Sequence, residues 1–283
     1  MSYIKELKTV NIENYIGKYQ YNFVIKYLQT IAIIHVFFFI LGLSYHDAIS
    51  QEDCNELPPE IEAGCGNWTY HADTRSFPIT SGCTITFNYW TRHCTESFTC
   101  GYSRTIVQFR FSSIDIPDNC YAVNNQLYPG WPSDFSTINN YYFNQLIDGI
   151  FLQLGKDEFV KGTIINCIGT PPDCNMPEPC GTAFAIRYSL PKCRAYCIAN
   201  TPDTAPVQRK VISTITCPNT PNSGCCQHEK YFCNCGGEIY VTEINTYTSV
   251  TCNPTYEPEM LCIALPGWTK TYISCSDACD TGD

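Results

Sequence analysis

The chain of 283 residues has no cysteine in its first 50 positions, although it contains 20 cysteines in all. It is also poor in basic residues, since 17 Lys and Arg stand against 27 Asp and Glu and give a net charge of −10. Such a charge repels a phosphate backbone, so the sequence predicts no nucleic-acid partner. After residue 50 no apolar stretch is long enough to cross a bilayer, so we expect no membrane span in the mature protein.

Motifs that carry catalysis are missing as well. The chain has no GxSxG elbow, no glycine-rich phosphate loop and no CxxCH haem attachment site. His228-Glu229 begins like the zinc-protease motif HExxH, but position 232 is Phe and the second histidine ligand is absent. We therefore predict no catalytic residue and no resident cofactor, and we favour a binding or structural protein over an enzyme.

An uncharged apolar run over residues 31–43 ends shortly before the small residues Ala48 and Ser50. Its length of about 13 residues is typical of the hydrophobic region of a signal peptide, whereas a membrane-spanning helix needs roughly 20. Residues 1–50 are therefore predicted to be a cleaved signal peptide with a long amino-terminal region. The alternative is an uncleaved anchor from Tyr27 to Tyr45. We expect a secreted, extracellular or cell-envelope protein.

Export into an oxidising space would convert the cysteines to disulfides, and their even number allows all of them to pair. The dense cluster from Cys225 to Cys235 also contains His228, but it has no CxxC spacing, so we predict disulfides there rather than a zinc site. Adjacent cysteines such as Cys225 and Cys226 normally bridge to different partners. The connectivity cannot be derived from the sequence, and the predicted disulfide cysteines are Cys54, Cys65, Cys83, Cys94, Cys100, Cys120, Cys167, Cys174, Cys180, Cys193, Cys197, Cys217, Cys225, Cys226, Cys233, Cys235, Cys252, Cys262, Cys275 and Cys279.

Alternation of apolar and polar residues predicts strands in most of the mature chain. The segments with this pattern are 83–92, 104–111, 184–190, 207–215, 238–251 (one strand, or a hairpin bent near Asn245) and 271–275. One segment differs, because apolar residues recur every three or four positions over 137–154 and predict an amphipathic helix. Ser136 or Thr137 would cap its start and Gly155 its end.

The predicted fold class is therefore mainly β, a β-sandwich-like arrangement of antiparallel strands with one amphipathic helix and many disulfides. Residues 167–181 contain three cysteines and four prolines, which is typical of a rigid loop at a domain boundary. We expect a lobe with the helix over residues 51–166 and a second cysteine-rich lobe over 167–283. A single domain is the alternative.

Candidate site residues are few. Trp90, Trp131 and Trp268 stand in a strand or in stiff loops, where aromatic rings can stack on sugars or fill a protein interface. No metal site is predicted, and the weak candidates are His228 and the tail residues Asp277 and Asp280, whose oxygens suit calcium. Carboxylates available for glycoside cleavage are Asp115, Asp118, Asp157, Glu158, Glu257 and Glu259.

The run Cys83–Arg92, and the pair Cys225-Cys226 followed by Tyr231-Phe232-Cys233, are similar to a set of cysteine-rich exported proteins predicted from environmental bacteria. The resemblance covers the mature chain and depends on the placement of cysteines and aromatic residues. It implies a bacterial envelope or extracellular setting. That set has no assigned activity, so the resemblance implies no function.

These observations lead to one principal hypothesis and two alternatives. The principal hypothesis is an exported, disulfide-stabilised structural, adhesive or binding protein of the cell surface or extracellular matrix, with a glycan or a surface protein as its partner. One alternative is a secreted hydrolase that acts on polysaccharide. The other is self-association through exposed strand edges into a filament or coat.

Overall fold

The computed structural model describes most of the chain after residue 50. The described residues are 54, 57, 59–76, 83–99, 101, 103–162, 164–169, 184–217, 224–247, 252, 262 and 264–279. The predicted signal peptide and the alternative anchor lie outside the described residues, as do Cys100, Cys174, Cys180 and Asp280.

Nine strands among the described residues form one sheet, which confirms the mainly β, disulfide-rich class. The strands are β1 (Thr69–Ser76), β2 (Thr84–Ser97), β3 (Ser103–Pro117), β4 (Phe184–Pro191), β5 (Cys193–Asn200), β6 (Arg209–Thr216), β7 (Cys225–Cys235), β8 (Glu238–Tyr247) and β9 (Thr269–Asp277). The pairing is mixed, because β4 runs parallel to β3 whereas the other described pairs are antiparallel. The second layer is a helix, where the expectation was a second sheet.

Strand β3 is the junction of the sheet. One edge of β3 pairs with β2, which in turn pairs with β1. The other edge pairs with β4 through residues 105–109 and with β6 through residues 113–117. The sheet therefore divides into a first arm, β4-β7-β8, and a second arm, β6-β5-β9. Described strands that precede and follow the proline- and cysteine-rich segment 167–181 in the sequence meet at β3.

The described residues include three helices beside the sheet: α1 (Pro59–Glu62), α2 (Tyr121–Leu127) and α3 (Asn140–Lys161). The long helix α3 confirms the predicted amphipathic segment, but it begins and ends later than expected. Its cap is Asn139, whose side chain accepts a hydrogen bond from the Tyr142 amide at 3.1 Å. The helix continues beyond Gly155 for almost two turns and is capped by Gly162.

Gly155 lies inside α3 because the helix approaches the sheet closely at that point. A Cβ atom on Gly155 would lie 2.8 Å from Ile186 Cδ1 and 2.8 Å from Phe232 Cζ. The missing side chain therefore allows α3 to contact β4 and β7 directly. Gly155 therefore marks a close contact between helix and sheet, and the prediction that it ends the helix is wrong.

Rings on α3 and on the sheet interlock to form the principal core. Phe151 stacks on Phe109 with 5.1 Å between ring centroids, and it lies 4.8 Å from the ring of Tyr188. We call the side of the sheet that α3 covers the helix face, and the other side the opposite face. On the second arm the opposite face carries a separate cluster made largely of sulfur, with Cys193, Ala195, Cys197, Ile215, Cys217, Cys262 and Cys275.

Strands β7 and β8 form a hairpin with a two-residue turn at Gly236 and Gly237. Both glycines have positive φ, 61° and 96°, which is the requirement of a type I′ turn. Residues 238–247 are therefore one strand along the whole of β7. The alternative bend near Asn245 is wrong, because Asn245 pairs with His228 and the pairing continues without a break to Tyr247.

Candidate functional site

Two aromatic side chains lie together on the opposite face, at the edge of the sheet formed by β1 and β2. Tyr70 pairs directly with Trp90, and their ring centroids are 5.1 Å apart in an edge-to-face arrangement. Trp90 points away from α3 because its neighbours Phe87 and Tyr89 belong to the helix-face core. Tyr70 is 48% exposed, so the pair presents aromatic surface to solvent.

A third ring extends this surface along the strands. Trp68 immediately precedes β1, and the centre of its ring lies 4.6 Å from the guanidinium of Arg92. Arg92 is buried and forms a two-point ion pair with Glu62, at 2.5 and 2.7 Å. We call Trp68, Tyr70 and Trp90 the aromatic platform. The guanidinium beneath it is held in place by fixed hydrogen bonds.

Polar groups border the platform on both sides. Asn88, two residues before Trp90, donates from Nδ2 to the Ser113 hydroxyl at 2.8 Å. At the other end, Arg92 Nε donates to the Gln108 side-chain oxygen at 2.7 Å. Aromatic rings beside fixed polar groups can take a ligand with an apolar face and a hydroxylated edge.

Trp131 lies elsewhere, on the helix face, where it packs half-buried against the principal core. Its centroid is 6.4 Å from that of Tyr128 and 5.4 Å from that of Phe135. The ammonium of Lys210 lies 4.3 Å from the Trp131 ring centre and pairs with Asp118 at 2.6 Å. Burial lowers the pKa of Lys210, and Asp118 offsets part of that shift. These contacts make Trp131 a cover over a buried cation.

Trp268 occupies the turn before β9, where its amide donates to the Leu265 carbonyl at 2.9 Å. Strands β3, β6 and β5 separate β9 from β2. The structure therefore does not bring the three tryptophans named from the sequence into one site, and only Trp90 belongs to the platform.

A cluster of ionisable side chains lies on the helix face of the first arm. Lys230 donates to Asp148 on α3, at 2.9 Å, and to Glu243 on β8. The Tyr188 hydroxyl donates to Asp148, and the Tyr188 ring stacks on His228 at 4.7 Å with an interplanar angle of 8°. His228 Nδ1 lies 3.5 Å from a Glu243 oxygen. The cluster thus ties α3 to both strands of the β7–β8 hairpin.

The donor atoms of Asp148, His228 and Glu243 all lie within 4.8 Å of one another, a set that suits zinc or a similar ion. The Lys230 ammonium, however, already pairs with both carboxylates and fills the cationic position between them. Burial lowers the pKa of His228, against the opposing effects of Asp148 and Glu243. The imidazole is therefore neutral at pH 7.

The same cluster is poorly matched to glycoside cleavage, which needs one carboxyl group kept protonated at working pH. Burial raises the pKa of Glu243, but the hydrogen bond and charge of Lys230 outweigh it and hold that pKa below its usual value. The described carboxylates named from the sequence have local partners instead: Arg209 for Asp115, Lys210 for Asp118, Gln153 for Asp157 and Lys161 for Glu158. Glu257 and Glu259 lie outside the described residues.

The cysteine cluster near His228 consists of disulfides. Cys225 bridges to Cys54, and its neighbour Cys226 bridges to Cys279. All of the described cysteines are disulfide-bonded, and the other bridges with two described partners are Cys65–Cys94, Cys83–Cys120, Cys167–Cys233, Cys193–Cys252, Cys197–Cys262 and Cys217–Cys275. Of the tail carboxylates, Asp277 pairs with Lys192 at 3.3 Å.

Sequence reasoning missed most of these contacts. It named Trp90 but neither Tyr70 nor Trp68, and it named His228 without Asp148 or Glu243. The second omission had a usable signal, since Gly236-Gly237 between two β-type segments predicts a hairpin. That hairpin alone would have placed Lys230 opposite Glu243.

Comparisons of the chain with protein-family models, with curated proteins and with solved structures find no match. Within the described ranges, no helix is both long and apolar enough to cross a bilayer. The many disulfides among the described residues indicate an oxidising, extracellular compartment.

Proposed function

We propose that this protein is exported and binds a neutral polysaccharide through the aromatic platform, in a structural or adhesive role at the cell surface or in the extracellular matrix. The observation that carries the proposal is the contact of exposed Tyr70 with half-buried Trp90 on the opposite face, at the β1–β2 edge of the sheet. Sugar rings have apolar C–H faces that pack on aromatic rings and hydroxyl groups that hydrogen-bond at the edges. The platform offers partners for both.

Charge supports a neutral rather than an anionic polymer. The chain carries a net charge of −10, which disfavours a polyanionic ligand at low salt. The Arg92 guanidinium next to the platform is already neutralised by Glu62. Hydrogen bonding and ring stacking therefore remain as the main attractions between the platform and a polysaccharide.

Rigidity supports binding without a large ordering cost. Tyr70 and Trp90 stand on paired strands, and Trp68 rests on a guanidinium held by an ion pair. Side chains that are already fixed lose little conformational entropy when a ligand arrives. An extended polymer can also contact several copies of such a surface, which raises the overall affinity.

The proposal is tested with the mature, oxidised protein and a panel of insoluble neutral polysaccharides, by measuring the fraction retained and the tryptophan fluorescence on binding. We expect retention on at least one polymer, and a loss of affinity of about tenfold or more for Trp90→Ala or Tyr70→Ala. The matched control is Tyr121→Ala, which removes a 65% exposed tyrosine from α2, and it should bind like the parent protein.

Thermal unfolding of each variant shows whether a loss of binding reflects loss of the fold. Failure of the parent protein to bind any polymer on the panel would contradict the proposal, and so would equal losses for Trp90→Ala and Tyr121→Ala. Soluble sugar is measured in the same samples. Release of sugar by the parent protein would favour the hydrolase alternative over simple binding.

A further inference from the structure

The described outer strands of the sheet differ in how they are protected against pairing with another chain. Strand β9 carries Lys270 and pairs irregularly with β5, and β1 contains His71, Asp73 and Arg75. Charged residues and bulges of this kind are the usual guards of exposed edges. Strand β8 has no Lys, Arg, Pro or Gly, and its ten residues pair with β7 without a bulge.

The two acidic residues of β8 give its outer edge little protection against pairing with another strand. Glu243 points to the helix face and forms an ion pair with Lys230 on the neighbouring strand. Glu238 is the first residue of the strand, next to the turn. The middle of β8 therefore carries no uncompensated charge, although it is a ten-residue strand at the end of the described sheet.

Exposed apolar side chains of β8 lie on its opposite face. Tyr240 is 42% exposed and Ile244 is 54% exposed, and Thr242 lies between them on the same face. An isolated exposed apolar residue is ordinary on a protein surface. Two of them on one face of an outer strand of high β propensity, with Thr between, are instead typical of a strand that pairs with another.

We propose that β8 pairs in antiparallel orientation with β8 of a second copy of this chain, with Thr242 opposite Thr242. In this register Tyr240 of each copy lies opposite Ile244 of the other, so both exposed apolar residues gain an aromatic–β-branched cross-strand partner. Each Glu243 lies opposite Val241 rather than opposite the other Glu243. A register shifted by one residue in each strand would place the two Glu243 side chains directly opposite one another.

The symmetry of this contact limits the size of the assembly. Because the same edge is used by both copies, the contact is two-fold and closes on itself. It consumes both β8 edges and extends the sheet across two chains, so the product is a dimer and not a filament. The aromatic platforms lie at the β1–β2 edges, away from the β8 edge, so both stay available in the dimer.

The association is tested by sedimentation of the mature oxidised protein from about 1 to 300 μM. We expect a monomer–dimer equilibrium, and a dissociation constant raised at least tenfold by Ile244→Lys, which puts an ammonium in the cross-strand contact. Val160→Lys is the matched control, because Val160 is 58% exposed on α3 and outside the contact. A monomer at all concentrations, larger assemblies, or equal effects of the two variants would overturn the proposal.

A second experiment fixes the register. Thr242→Cys should give a disulfide-linked dimer on mild oxidation, because directly opposite Cα atoms lie about 4.5–5.5 Å apart, within disulfide range. Thr246→Cys should give none, since the two copies of that position would be about 27 Å apart. Cross-linking through position 246 but not 242 would refute this register.

Hydrogen exchange of the unmodified protein at low and high concentration gives a readout that does not depend on a new thiol. Protection of residues 238–247 should rise with concentration. Unchanged protection there, in a sample that dimerises, would place the contact elsewhere.

Discussion

The two arms of the sheet are stabilised in different ways. In the first arm, Tyr188 and Phe232 pack among the rings of α3, and the Lys230 cluster adds an ionic contact. In the second arm, the opposite face is covered by a cluster in which Cys193, Cys197 and other half-cystines outnumber the aliphatic residues. Sulfur bridges there replace the apolar side chains that a larger core would supply. Both arms also share features, because three of the bridges with two described partners end on β7, and Tyr196 of the second arm contacts Phe143 of α3. We therefore expect the ionic cluster to make the first arm the more sensitive to pH, and the buried sulfur cluster to make the second arm the more sensitive to loss of its bridges.

The largest expected effect comes from breaking the covalent links of the second arm. The Cys197–Cys262 bridge joins residues 65 positions apart, and both of its cysteines are buried. The double change Cys197→Ala/Cys262→Ala should lower the free energy of unfolding by about 2–5 kcal/mol, because the unfolded chain gains freedom and the cluster loses volume. Urea unfolding measures the loss, and hydrogen exchange should show it first in β5 and β9.

Cys65→Ala/Cys94→Ala provides the control, because this bridge closes only 29 positions and lies outside both arms. Loop entropy alone makes its loss smaller by roughly 0.7 kcal/mol. Its removal should leave the exchange of β5 and β9 close to that of the parent protein. If both double variants expose the second arm equally, the cluster is not a separate unit of stability.

The first arm is tested by removing the charge at its centre. Lys230 is 2% exposed, and Lys230→Met keeps the length of the side chain but leaves Asp148 and Glu243 facing one another. We expect a loss of about 1–3 kcal/mol, below the usual figure for a broken buried pair because both carboxylates are partly exposed. Lys161→Met, at a 69% exposed position on α3, should change stability by less than about 0.5 kcal/mol. Similar losses for the two variants would contradict a distinct role for the cluster.

The secondary structure of the two arms was partly predictable from the sequence. Alternation identified six of the nine described strands, β2, β3, β4, β6, β8 and β9, and the apolar period of α3 identified the helix, because both are local consequences of burial on one face. Strands β1, β5 and β7 were not predicted from the sequence. The assignment of strands to arms was not predictable, since β3 pairs with β4 and β6 across large sequence distances. Gly155 shows why local sequence patterns are not sufficient. A glycine at that position predicted the end of the helix, whereas its role is to allow close contact with Ile186 and Phe232, which only the tertiary fold brings near.

The candidate site was predictable to a smaller degree. Trp90 could be assigned to the polar face of its strand from alternation alone, and the structure places it there. The pairing of Tyr70 with Trp90 could not be predicted, because the β1–β2 register depends on the conformation of the connecting residues 77–82, which the sequence does not determine. From the sequence alone, Trp131 and Trp268 were as good candidates for a binding site as Trp90, and only their surroundings in the fold distinguish them from it.

The smallest expected effect is a pH dependence located in the first arm. Burial lowers the pKa of His228, although Asp148 and Glu243 act in the opposite direction, and the groups that face it are Asp148, Tyr188, Lys230 and Glu243. As the pH falls below about 6.5, the unfolded chain takes up a proton at His228 and the folded chain resists it. The free energy of unfolding should therefore decrease over this window.

Other groups act in another pH window or in the opposite direction, so the contribution of His228 can be isolated by substitution. The pKa of Glu243 is lowered, and its contribution is lost only as the pH falls below about 4.5. At the base of the second arm, burial raises the pKa of Asp115 despite Arg209, so its protonation favours the folded state and acts in the opposite direction. Urea unfolding between about pH 6.5 and 5 should show a slope that His228→Gln flattens and that His93→Gln, at an exposed position on β2, leaves unchanged. If the slope survives His228→Gln, the acid response belongs to another part of the chain, and the two arms do not differ in the way their contacts indicate.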